Sequence, residues 1–291
     1  MPAKAKRQST PGSPTSLRRL LVGLDGSPWS RSATTHALAI ARASGASATG
    51  LAIIDRHDID HAVGPVPMGA LHFAEERERT LLGEARQHAT ALARDFKARC
   101  DQEKVVHTET SAEGVPFEHL ILESMSHDLI VIGLRTFFHY PPSTEPGETL
   151  QKLLHHGMRP VLAVRETAEP IRHITIAVDP SPQSGRALQL FALLRPWGAL
   201  TVRLVHAGDD RSAANQVLQP ATAFLQAHGI EARPAFLEGH PTKVIPEDVK
   251  RQKPDLVVMG AYGKATVRKL LFGSLTATLL ERATVSLLLS S

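Results

Sequence analysis

Cysteine is nearly absent: Cys100 is the single thiol in 291 residues. One thiol forms no internal disulfide and builds no cysteine-based zinc site, and it fits a reducing, cytoplasmic setting. At the end of a helical stretch it reads as a small hydrophobe rather than a reactive group. Long apolar runs are missing as well. None reaches the roughly 18 to 20 residues needed to cross a bilayer, so no membrane partner is expected. Residues 1–16 are basic and rich in Pro, Ser and Thr without an apolar stretch, which reads as a disordered tail and not as a secretory signal. Several catalytic signatures are also lacking. Gly263-Lys264 is followed by Ala265 where a Walker loop has Ser or Thr, and no His-x-Gly-His pair, Gly-x-Ser-x-Gly elbow or acid–base pair at telling spacing occurs. These absences argue against a P-loop ATPase, a nucleotidyl transferase and an esterase.

What is present reads as globular. The chain is 42% hydrophobic and 21% charged, long enough for one large domain or two ordinary ones. The net charge is +4. Lys4, Lys6, Arg7, Arg18 and Arg19, in or just after the tail, account for that excess, so a nucleic-acid partner is not expected.

Strand-like and helix-like stretches alternate. Arg19 to Leu24 is a buried-strand run ending in Asp25-Gly26-Ser27, and Ser27 is placed to cap the helix that follows through Ala43. Ser47 to Asp55 is a second strand, and Arg56 to Met68, without a period, reads as a loop. Ala74 to Cys100 carries a helical stripe through Leu81, Leu82, Ala85, Ala89, Leu92 and Phe96. Val105 to Thr110, Asp128 to Gly133 and Pro160 to Arg165 are further strands, with helices over Pro116 to Ser126 and Thr149 to Gly157. The pattern then restarts. His173 to Asp179-Pro180-Ser181, Leu200 to His206, Glu231 to Leu237, Asp255 to Gly260 and Thr284 to Leu289 are strands. Ser184 to Arg195, Ala213 to His228, Val244 to Arg251 and Ser274 to Arg282 are the helices between them. Asp128-Leu-Ile-Val-Ile-Gly133 superimposes on Asp255-Leu-Val-Val-Met-Gly260 at an offset of 127 residues. The chain is therefore a tandem duplication: a tail over 1–16, one α/β domain over 17–167 and a second over 171–291. Such alternation implies parallel strands with helices on both faces.

The stretch Asp255 to Thr276 carries the chemistry. A strand stops at Gly260, a loop with Lys264, Arg268 and Lys269 follows, and Gly273-Ser274 opens a helix. Glycines let backbone amides approach an anion, and amides at a helix start carry the positive end of the dipole. A lone glycine-rich loop is equally explained as a strand-to-helix turn. Likewise Asp179 could simply form a turn, and Ser274 could simply cap a helix.

The strand ends Asp25-Gly26-Ser27 and Asp179-Pro180-Ser181, together with Gly260-x2-Gly263-x9-Gly273-Ser274, resemble the universal stress protein family in its tandem two-domain form, over nearly all residues after about Leu17. The resemblance implies two open five-stranded parallel sheets, Rossmann-like and similar to the adenine-nucleotide alpha hydrolases. It also implies ATP, with Mg2+ left open, across the carboxyl ends of the strands, where any open α/β sheet is expected to place a ligand. Carried onto this chain, Ala177 and Asp179 would border the adenosine and Ala207 the adenine edge. Met259, Gly260 and Gly263 would line the ribose and first phosphate. Gly273, Ser274 and Leu275 would meet the outer phosphates, with Lys264 or a neighbouring cation adding charge. The family also implies pairing through the fifth strands, so Pro160 to Arg165 and Thr284 to Leu289 should lie between the domains or between chains of a homo-oligomer.

The first copy departs from the pattern. Gly133 stands, but Thr136 replaces the second glycine, the loop Phe137 to Pro146 is longer, and Gly147 is followed by Glu148. A carboxylate about 4 Å from phosphate opposes it by about 4 kcal/mol at an effective dielectric of ~20. This copy is expected not to bind ATP in the family manner. Asp25, Arg135 and the aromatic cluster Phe137, Phe138 and Tyr140 either hold another ligand or pack on the neighbouring domain, the second being favoured. His57-Asp58-Ile59-Asp60-His61 offers donors for a metal only if the segment is ordered. His155-His156 suits a helix end by its dipole.

The reading that follows is a cytoplasmic stress-response protein that binds ATP in its second domain and regulates an unidentified protein partner. The alternatives are a slow ATP hydrolase or self-phosphorylating protein with Ser274 as acceptor, and a nucleotide-free interaction module. No general base is evident for the first alternative.

Overall fold

The run Arg19–Leu24 is leucine-rich and is buried from Leu20 onward, so it forms a central strand covered on both faces. It is β1 of a computed structural model that describes residues 17–63, 70–136, 138, 149–195, 197–261, 274–282 and 284–291. The first half continues as α1 (Pro28–Ser44), β2 (Ser47–Asp55), α2 (Arg56–Val63), α3 (Leu71–Glu103), β3 (His107–Gly114), α4 (Pro116–Ser124), β4 (Leu129–Gly133), α5 (Thr149–His156) and β5 (Val161–Val164). The second half repeats it as β6 (His173–Ala177), α6 (Pro182–Leu194), β7 (Thr201–Gly208), α7 (Arg211–Ala227), β8 (Ala232–Glu238), α8 (Pro241–Gln252), β9 (Leu256–Gly260), α9 (Ser274–Arg282) and β10 (Ser286–Ser290).

The strands form one sheet in the order β3-β2-β1-β4-β5-β10-β9-β6-β7-β8. Each half is a parallel five-stranded sheet, as the alternation of elements predicts. The halves are not separate sheets, however. β5 and β10 pair antiparallel, Leu287 opposite Ala163 and Leu289 opposite Val161, and join them into ten strands. Apolar side chains on the two faces make two core layers, each drawing on both halves. Phe96 and Cys100 of α3 and Phe191 of α6 lie in one; Leu153 of α5 and Leu279 of α9 lie in the other.

Strand order reverses between β1 and β4 in the first half and between β6 and β9 in the second. At those points the connections leave in opposite directions and open a crevice at the carboxyl ends of the strands. The same device ties the start of each half: Asp128 Oδ2 accepts from the backbone N–H of Arg18 and Arg19 at 2.7 and 2.9 Å, and Asp255 Oδ2 from those of Arg172 and His173 at 2.8 Å each. Burial alone would raise the Asp255 pKa, but these two amides and the neighbouring His173 hold it below the usual carboxylate value.

Two elements differ from expectation. Arg56 to Val63 is a helix where a loop was expected, because Asp55 Oδ1 accepts from the His57 amide at 3.0 Å and Ile59 is fully buried. Among its described side chains Ile59 is the one buried apolar residue, and no period is visible in its sequence. β3 runs to Gly114, well past Thr110, since it is an edge strand of alternating exposure and polar sequence. Cys100 is buried as expected, and burial lifts its thiol to about 11, far from a reactive thiolate. No described helix is long and apolar enough to cross a membrane.

Candidate functional site

Both halves turn from first strand to first helix with the same three side chains. In the second half, Asp179 Oδ1 accepts from the Ser181 amide at 2.9 Å and from the Ser181 hydroxyl. Ser181 Oγ accepts from the Ser184 amide at 3.2 Å, and Ser184 Oγ from the Asp179 amide at 3.0 Å. Asp25, Ser27 and Ser30 repeat these backbone contacts at 2.9, 3.1 and 3.2 Å. The turn-forming role of Asp179 is therefore real. It occupies Oδ1, and Oδ2 makes no hydrogen bond among the described residues, so the carboxylate keeps acceptor capacity.

The first turn of α6 lies directly on the end of β9. A Cβ added at Gly260 would stand 2.6 Å from the Gln183 carbonyl carbon and 2.7 Å from the Ser184 nitrogen. Backbone cannot yield there as a side-chain tip can, so packing alone requires glycine. Gly133 repeats the arrangement, its added Cβ falling 2.5 Å from Trp29 Cβ. The first glycine of each copy thus has a structural cause in both halves, including the half expected to lack nucleotide.

Around Gly260 a small cleft of about 60 Å3 sits at the β6/β9 reversal. Six of the ten residues marked from the sequence line it together: Ala177, Asp179, Ala207, Met259, Gly260 and Leu275. They come from the ends of three strands, one turn and the start of α9, so only the fold makes them neighbours. Ser274 opens α9, but its side chain is outside the described residues, as are Gly263, Lys264, Arg268, Lys269 and Gly273. The described wall of the cleft is largely apolar, with Asp179, Ser181 and Ser184 at one side. Val178, Ser181, Ser184, Pro241 and Ile245 complete the wall; of these the sequence marked only Ser181, as part of the strand-end motif and not as a contact. Pro241 and Ile245 sit four apart on one face of α8, and that helical spacing was the available signal.

The matching region of the first half is different. By strand register, Gly23, Ile53, Ile132 and Gly133 stand where the second half has Ala177, Ala207, Met259 and Gly260. The Phe138 ring, 4% exposed, lies over Gly23: a Cβ there would fall 3.0 Å from Phe138 Cζ and 2.9 Å from Ile132 Cγ2. Phe138 thus packs into its own half, where packing on the neighbouring domain was expected. Arg135 lies over the Trp29 ring, 5.9 Å from its centroid, a cation–π contact. Glu148, Phe137, Tyr140 and Gly147 lie outside the described residues.

The histidine-rich stretches bring no metal set together: among the described residues no group of three or more His, Cys, Asp or Glu is placed to hold an ion. The side chains of Asp58 and His61 are outside that search. His155 and His156 close α5 with their rings edge to face, 4.9 Å between centroids, as the helix dipole favours.

Comparison with known proteins agrees with this architecture. The family model described as "Universal stress protein family" matches residues 16–165 and again 170–290. A universal stress protein of Synechocystis sp. is 26% identical over 165 residues, 55% of this chain and 57% of that protein, so the chain matches little more than half the relative's length. Among solved structures, a universal stress protein from Archaeoglobus fulgidus superposes with a TM-score of 0.67 at 19% identity, covering 94% of this chain and 98% of the other. A functionally unknown protein from Pseudomonas aeruginosa gives 0.59 at 15% identity over 94% and 92%. At such identities the structural likeness speaks for the fold, and the two family matches span both repeats. The chain belongs to the universal stress protein family.

Proposed function

We propose that this protein binds ATP in its C-terminal half and acts as a nucleotide-dependent regulatory module in the cytoplasm. The observation that carries the reading is the convergence of Ala177, Asp179, Ala207, Met259, Gly260 and Leu275 on one cleft at the β6/β9 reversal. An apolar slot of this kind suits a purine ring, and Asp179 Oδ2 suits a ribose hydroxyl or an ion such as Mg2+. The phosphates would extend toward Gly263, Lys264 and Gly273-Ser274, whose amides, hydroxyl and charge fit an anion. β5 and β10 are spent on each other within the chain, so the two halves act as an intramolecular pseudo-dimer. Nucleotide in one half would bias the shape offered to a protein partner, which requires only that ATP bind one arrangement better than another.

Ala207→Trp tests the address. Ala207 is half-buried at the cleft wall, and an indole there would take up the space of the slot. ATP affinity measured by equilibrium dialysis is expected to fall by about a hundredfold or more, roughly 3 kcal/mol, with the melting temperature little changed. Unchanged affinity in the folded variant, or no ATP binding by the wild type, overturns the reading.

A further inference from the structure

The first half contains the same crevice, at the β1/β4 reversal, with Gly23, Ile53 and Ile132 in register with Ala177, Ala207 and Met259 of the open cleft. Phe138 is the difference. Its ring comes from beyond the end of β4, is buried to 4% exposure and lies over Gly23 beside Ile132. Those two positions correspond to Ala177 and Met259, which line the open cleft of the second half. A small hollow remains on the other side of the ring, with Leu24, Ile53 and Phe138 in its wall together with Asp25 and with His88 and Ala85 of α3. Glycine at position 23 is part of the arrangement, because an alanine there, as at position 177, would press on both the ring and Ile132.

We propose that the first half keeps part of a nucleoside site and that Phe138 is its resident occupant, an internal stand-in for the nucleoside. The inference rests on the reading of the C-terminal cleft as an adenosine site. A phenyl ring seated by its own chain is present at an effective concentration no free nucleoside reaches, so it excludes the base regardless of what the phosphate loop offers. One-sided binding then has a steric cause within the first half.

The test uses full-length protein and labelled adenosine, which has no phosphates to be repelled. Equilibrium dialysis is expected to give one adenosine per chain in the wild type and two in Phe138→Ala. Toluene, a free copy of the missing side chain, should displace the added adenosine and leave the first in place. If Phe138→Ala loses its far-ultraviolet circular dichroism, Phe138→Val carries the same expectation with a smaller excision. A folded variant that binds no more adenosine than the wild type overturns the proposal, as does an added adenosine that toluene does not displace. Because the readout is a gain over wild type, it is separate from the C-terminal site: a wild type that binds none refutes that site alone.

Discussion

Asp248→Ala is expected to destabilise the protein by about 3 kcal/mol or more, the cost of removing one partner from a buried ion pair. Asp248, on α8, is 3% exposed and holds two guanidiniums at once, Arg203 of β7 through Oδ2 and Arg251 through Oδ1 at 2.6 Å. Without the carboxylate, Arg203, whose side chain is only 24% exposed, keeps its charge inside with no partner, while Arg251, 67% exposed, turns to water. The loss arises mainly from the stranded charge and not from the attraction itself. The double change Arg203→Met with Asp248→Leu should therefore recover most of it. At roughly 2–4 °C per kcal/mol for domains of this order of size, thermal melts resolve the difference. Single and double variants of equal stability would contradict this account. The first half shows a neutral solution at the same strand position: Thr49 stands in register where Arg203 does, and its Oγ1 is 2.9 Å from His127 Nε2.

The second large effect is a pH dependence centred on His36. This residue of α1 is 7% exposed, and its pKa is lowered from 6.5 to about 4, first by burial and then by the charge of Arg165. A base whose pKa falls on folding binds its proton more readily in the unfolded chain. Its contribution is therefore complete above about pH 6.5, is lost as pH falls, and is exhausted near pH 4. The shift corresponds to roughly 3 kcal/mol across that interval. His127 adds in the same direction, its pKa lowered mainly by burial. Urea unfolding of wild type and His36→Gln at a series of pH values isolates the residue, because the other groups are common to both. The stability curves should converge or cross as pH drops from 7 to 4, the wild type losing about 3 kcal/mol more. Parallel curves would show that His36 titrates alike in both states.

Much of the fold was legible because the sequence repeats itself. Aspartate at the end of a buried strand, glycine at the end of another and helical stripes between them mark each half, and Asp25/Asp179 and Gly133/Gly260 occupy matching places in the structure. Short apolar runs such as Val161–Val164 and Ser286–Ser290 read as buried strands, but nothing in their residues names the neighbour. The single ten-stranded sheet is a property of their pairing. α2 was invisible because one buried isoleucine has no period, and β3 was misplaced because an edge strand need not be apolar.

The site divides in the same way. Residues next to a strand end, such as Ala177, Met259 and Gly260, could be placed from the pattern, since a strand fixes where its carboxyl end lies. The cleft wall from α8 and the ring of Phe138 depend on how separate segments fold back on them, and local sequence does not encode that. Gly260 illustrates the limit of motif reasoning. It belongs to a phosphate-loop pattern, yet the close approach of Gln183 and Ser184 already explains it.

The number of ATP molecules bound per chain tests the central claim most directly. Calorimetric titration of the full-length protein with ATP and Mg2+ is expected to give one site, weakened about a hundredfold or more by Ala207→Trp. A stoichiometry of two would show that Phe138 does not close the first half, and a stoichiometry of zero would remove nucleotide binding from the account altogether.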